Sequence, residues 1–102
     1  MEYAFVEGRV RIERTPEEQE PLLQRLRRIE GQARGLQQMI VDNRYCLDDV
    51  QQLNAITAAA RETALLIIDD HLQACTQLAV EANDGALVSG EMVTVLRAAM
   101  RQ

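Results

Sequence analysis

"YCLDDVQQLNAITAAARETALLIIDDHLQACTQLAV", residues 45–80, contains no glycine and no proline. Nothing in it breaks a helix, and its apolar residues have helical spacing. Val50, Leu53, Thr57, Ala60, Ala64, Ile67, His71, Ala74 and Leu78 form one heptad-like stripe. Leu65, Ile68, Leu72, Cys75 and Ala79 form a second. Two apolar faces on one long helix predict burial on two sides, as in a helical bundle.

Upstream, "TPEE" at 15–18 is a helix start, with Thr15 as N-cap, Pro16 in the first turn and Glu18 completing a capping box. Pro21 would cost a hydrogen bond inside a continuous helix, so the main helix is expected to begin near Glu20. Leu22, Leu26, Ile29, Ala33, Leu36 and Ile40 then recur at spacings of four and three, and "DNR", 42–44, is the break. Downstream, "ANDG", 82–85, is a turn. Ser89 is expected to cap a short third helix with Glu91 in its first turn and Arg97 and Arg101 near its end. Residues 1–14 show no clear period and are read as a flexible arm without a convincing strand. Residues 15–102 are the helical domain. The expected fold is all-α, with three helices in the chain.

The chain has 102 residues, 47% of them apolar but only 3% aromatic, which bounds it to one small domain with a modest core. Oligomerisation is the expected remedy. The N-terminus lacks the apolar stretch of a secretory signal, and the longest apolar run, "ALLII" at 64–68, is too short to cross a bilayer. The expected location is the cytoplasm, without a membrane partner. There, two cysteines point to free thiols, metal ligands or redox sensing rather than a structural disulfide. The net charge of −5 argues against nucleic acid taken alone. All 11 basic residues, however, are Arg, and Arg25, Arg27, Arg28 and Arg34 cluster. Arg suits bidentate phosphate recognition.

Within the long helix, His71 and Cys75 lie one turn apart on one face and can chelate one ion together. Cys46 precedes His71 by 25 residues, roughly 37 Å along a continuous helix, so it cannot join them in its own chain. In an antiparallel pair of such helices, Cys46 of one copy meets His71 and Cys75 of the other. The crossing then falls on Ala58, Ala59 and Ala60, whose small side chains permit close approach. Two thiolates and one imidazole suit three-coordinate Cu(I), whereas structural Zn(II) prefers a fourth ligand. The competing reading is a core histidine and a buried cysteine on an apolar stripe.

"RLRRIEGQARGLQQMI" (25–40), "RYC" (44–46) and "DDHLQAC" (69–75) together resemble the CsoR/RcnR family of all-helical transcriptional repressors. The resemblance covers about residues 15–101. It implies three helices per chain, an antiparallel dimer and a dimer of dimers that binds operator DNA. The Cys46, His71, Cys75 set is similar to that of the family's copper-sensing branch, in which the metal-free protein represses and Cu(I) releases the DNA. The resemblance also implies that Tyr45 and Glu91 support the metal ligands and that Arg25 and Arg61, with Arg27, Arg28 and Arg34 nearby, contact DNA. One departure is Glu62, where many members carry a second basic residue.

The residues alone also admit surface salt bridging of Arg27 and Arg34 with Glu30, Tyr45 as partial core and Glu91 as a helix-start charge. Two rival functions follow. One is the same fold sensing sulfane sulfur, an electrophile or another metal through Cys46 and Cys75. The other is a helical interaction module that binds neither DNA nor metal. No catalytic nucleophile–base pair or phosphate loop points to an enzyme.

Overall fold

The computed structural model describes residues 1–101. The described residues form β1 (Glu2–Val6), β2 (Arg9–Glu13), α1 (Pro16–Val41), α2 (Cys46–Ala82) and α3 (Ala86–Met100). The three expected helices are present. The final residue of the expected 15–102 domain lies outside the described residues.

α1 starts at the capping box read from the sequence. Glu18 N–H donates to Thr15 Oγ1 at 3.2 Å, and Thr15 N–H donates to Glu18 Oε1 at 3.1 Å. The helix does not wait for Glu20; it runs through Pro21. Pro21 sits in the second turn, and the carbonyl that its missing N–H would otherwise bond belongs to Glu17, an exposed residue near the helix start. α1 ends at "DNR", where Asn43 turns the chain with a φ of 54°. α2 then runs 37 residues without interruption and ends at Asn83, in the left-handed region with a φ of 51°.

α3 begins three residues before the expected cap. Asp84 Oδ1 accepts from Ala86 N–H at 3.1 Å, and Ser89 instead returns its hydroxyl to the Ala86 carbonyl inside the helix. Glu91 is therefore in the second turn, not the first.

Where the aperiodic reading of 1–14 finds no strand, the structure has an antiparallel hairpin. Glu7 and Gly8 take φ values of 52° and 76° in the two-residue loop, the pattern of a type I′ turn, and so match the twist of the flanking strands. The register pairs Tyr3 with Ile12 and Phe5 with Val10 on one face, and Ala4 with Arg11 and Val6 with Arg9 on the other. The apolar face packs on α2 and α3.

α1 packs along the first half of α2, and α3 with the hairpin packs along the second half. The described core is small: Val10, Ala74, Cys75 and Val88 are buried, with Tyr3, Ile12, Leu78, Ala79 and Met92 against them. The radius of gyration is 18.0 Å, whereas a self-sufficient globule of this length has about 13 Å. The face of α2 toward α1 is Gln52, Ile56, Ala59 and Thr63, which is not the main stripe read from the sequence. Val50, Leu53 and Ile67 of that stripe are 51%, 52% and 43% exposed. One chain therefore leaves a long apolar face of its central helix uncovered. No helix among the described residues is long and apolar enough to cross a membrane.

Candidate metal centre

His71 and Cys75 occupy consecutive turns of α2, at the end of the helix where the hairpin and α3 converge. Cys75 is fully buried among Val10, Ala74 and Val88. Burial pushes its thiol pKa up, and the negative charge of Glu91 pushes it further the same way. The resting group is therefore a protonated thiol, and any metal must displace that proton.

His71 is also largely covered. Its Nε2 lies 3.3 Å from Glu91 Oε1. The contact lacks the alignment of a hydrogen bond, and Nε2 has no other partner. Glu91 Oε1 also accepts from the Val10 backbone N–H at 3.3 Å. Glu91 is thus no helix-start charge; it stands against the imidazole and is held there by the hairpin.

The two aspartates before His71 are engaged elsewhere. Asp70 Oδ2 accepts from Arg14 Nε at 3.2 Å and from its guanidinium Nη2 at 3.1 Å. Asp69 accepts from Gln73 Nε2 at 3.0 Å. Arg14 therefore anchors the exit of the hairpin beside His71. Sequence reasoning missed Val10 and Arg14 as neighbours of the site, although the alternation Arg9, Val10, Arg11, Ile12, Glu13 is a strand signal.

Cys46 lies at the opposite end of α2 and is exposed. Because α2 is continuous, the separation of roughly 37 Å holds in the folded chain. Among the described residues, no three His, Cys, Asp or Glu side chains converge as a metal site. One chain thus places Glu91 against His71, one turn from Cys75, but leaves Cys46 apart. Tyr45, just before Cys46, is 70% exposed and belongs to no core.

The donor set nevertheless fits a soft metal. His71 offers a largely covered imidazole whose Nε2 edge stands against Glu91, which leaves the other ring nitrogen for a metal, and Cys75 offers sulfur one turn away in a dry, apolar setting. What is missing is a third donor, and Cys46 is an exposed thiol without a partner among the described residues.

The arginines divide into two groups. Arg27 pairs with Glu20 at 2.8 Å, not with Glu30, and Arg34 pairs with Glu30 at 3.5 Å, all on exposed surface. Arg25 and Arg28 instead line an open groove of about 750 Å³ between α1 and α2, together with Gln32, Ala59 and Glu62. Arg61 is exposed on α2 beside it. Arg25, Arg28 and Arg61 make no ion pair among the described residues.

A family profile described as metal-sensitive transcriptional repressor matches residues 18–102. The chain belongs to that family. This repressor is 36% identical to the copper-sensing transcriptional repressor CsoR of Bacillus subtilis, over 82% of its own length and 83% of that protein's. It is 48% identical to the copper-sensing repressor RicR of Mycobacterium tuberculosis, over 61% of its own length and 66% of that protein's. Its fold superposes on the crystal structure of CsoR with Cu(I) from Geobacillus thermodenitrificans with a TM-score of 0.78. Identity there is 39%, covering 91% of the repressor and 97% of that chain. The nickel-responsive regulator InrS superposes with a TM-score of 0.79 at 31% identity, covering 85% of the repressor and 98% of InrS. The family consists of transcriptional repressors, not enzymes.

Proposed function

We propose that this repressor is cytoplasmic and Cu(I)-responsive, that its metal-free form binds operator DNA, and that Cu(I) binding between two subunits releases it. The observation that carries the reading is the layout of α2. A largely covered His71 with a buried Cys75 sits at one end, a free Cys46 thiol at the other, and an uncovered apolar stripe lies between them. Two copies packed antiparallel along that stripe cover it and complete two identical sites, each with Cys46 from one chain and His71 and Cys75 from the other. A dimer of two such dimers is the assembly we infer. The copper-sensing names of its relatives support the choice of metal.

When bound, Cu(I) would supply a soft cross-link between the two chains. The protein's residues do the rest. Glu91, placed against His71 Nε2, favours the tautomer with its proton there and leaves Nδ1 as the donor. Val10, Ala74 and Val88 keep water from Cys75. Tyr45, adjacent to Cys46, closes the partner's side of the site. Drawing Cys46 toward the partner's His71 and Cys75 moves one α2 against the other and so changes the spacing of the Arg faces. Arg25, Arg28 and Arg61 are free to meet phosphates, with Arg27 and Arg34 able to exchange their weak surface pairs for them. Without a recognition helix in the pattern, backbone contacts and groove shape carry the binding. By linkage, DNA weakens Cu(I) binding by the same factor as Cu(I) weakens DNA binding.

The test is anaerobic fluorescence anisotropy of the reduced protein on a labelled fragment from upstream of its own gene and on candidate copper-efflux promoters. Release at about one Cu(I) per subunit, abolished in Cys46→Ala, is expected. DNA binding that ignores Cu(I) would overturn the copper reading and leave the repressor.

A further inference from the structure

The family match begins at residue 18, and the hairpin lies wholly before it. The hairpin is nonetheless built into the site. Val10 is buried with Ala74, Cys75 and Val88, and Tyr3 and Ile12 pack at the rim. Tyr3, Val10 and Ile12 share the face toward the helices, while Arg9 and Arg11 lie on the other. Alternation of ladder bonds in an antiparallel pair leaves the Val10 N–H on the outer edge of β2. It donates to the Glu91 oxygen that stands 3.3 Å from His71 Nε2. Arg14, at the hairpin's exit, grips Asp70 immediately before His71. The segment is therefore fastened at two points beside the imidazole, and Val10 packs against the thiol.

The geometry points to a specificity-determining lid: residues 2–13 close the His71–Cys75 arm to water and extra donor atoms, so that the site accepts a soft, low-coordinate monovalent cation and rejects Ni(II). The inference rests on the metal-sensing reading above. A cation that demands four to six ligands must complete its shell from water or nearby oxygens. Here the lining beside Cys75 is Val10, Ala74 and Val88, and the one carboxylate at hand, Glu91, is held by the Val10 N–H. A three-donor ion needs neither. The helical scaffold is shared with a nickel-responsive regulator, so the scaffold alone does not set the metal.

The test uses the full chain with the lid loosened in two ways. Val10→Pro removes the N–H that holds Glu91 and adds no metal donor. Tyr3→Ala with Ile12→Ala strips the rim packing and leaves that N–H in place. Helicity and assembly state confirm that each variant keeps the helical body. The first readout is metal-free. In a Cys46→Ser background Cys75 is the only thiol, and its rate of reaction with N-ethylmaleimide is expected to rise at least tenfold in both variants. Unchanged rates overturn the lid. The second readout keeps Cys46 and follows Ni(II) titration by thiolate charge-transfer absorption. At least tenfold tighter Ni(II) binding is expected with the lid loosened, and equal binding overturns its role in selectivity. If the unaltered chain fails to hold Cu(I) against a competing chelator, the copper reading falls, while the metal-free thiol rates still decide the lid.

Discussion

Val88→Ala tests whether the small core beneath the metal arm is where the chain's own stability is concentrated. Val88 is 1% exposed and is the α3 residue buried with Cys75 and Val10. The substitution removes two methyl groups from that cluster. Transfer alone costs about 0.8 kcal/mol for each, and the cavity left behind brings the loss to roughly 2–3 kcal/mol. With so few buried residues, little nearby can collapse into the gap. Urea unfolding followed by circular dichroism is the assay, run at one fixed protein concentration because assembly stabilises the folded chain by mass action. A midpoint lowered by roughly 1 M is expected if the slope lies near 2 kcal/mol per molar. A loss below about 0.5 kcal/mol, the level of an ordinary surface substitution, would refute the reasoning. It would mean that contacts between chains, not this cluster, hold α3 in place.

Three further predictions follow from charge. The Glu18 pKa is lowered to about 2, first by its bond to the N-terminal ammonium and then by the Thr15 backbone. A depressed carboxylate stabilises the fold above its ordinary value near 4.5 and loses that contribution as pH falls from there toward 2; Glu18→Gln should flatten the acid-induced loss of stability in that window, as measured by denaturant midpoints at successive pH values. On DNA, Arg28→Ala should weaken binding about equally for all sequences and reduce the slope of log affinity against log salt by about one. Glu62→Arg, at the same groove, should increase both.

Much of this protein is legible in its sequence because its strongest signals are local. The freedom of α2 from glycine and proline, the Thr15–Glu18 capping box and the asparagines at both helix breaks act within a few residues of themselves. The His71–Cys75 pair follows from helix periodicity, and so does the exclusion of Cys46 from its own chain's pair. Other features depend on partners distant in sequence or on solvent. Pro21 is tolerated because the bond it forgoes falls on exposed Glu17, close to the start of α1. α3 starts at Ala86, whose N–H donates to Asp84 Oδ1, rather than after a Ser89 cap, because the turn closes earlier. The hairpin's alternation is short and carries charges, and only its docking on α2 and α3 makes it count. The face of α2 toward α1 contains Gln52, Ala59 and Thr63, so hydropathy does not flag it. Gln52 donates to the Gln32 carbonyl at 3.2 Å, and the Thr63 hydroxyl turns back to the Ala59 carbonyl at 2.8 Å. The stronger apolar stripe is the one the single chain leaves exposed.

Ligation across two chains is the central claim, and subunit mixing measures it most directly. One chain carries Cys46→Ala; the other carries His71→Ala with Cys75→Ala. Each alone lacks a complete site whichever way the ligands are shared. Co-refolded and purified as a mixed dimer with two affinity tags, they regain one complete site if Cys46 of one chain serves His71 and Cys75 of the other. The predicted result is about one Cu(I) held per mixed dimer against a chelator that strips either parent. A mixed dimer that holds no more than its parents would contradict the account.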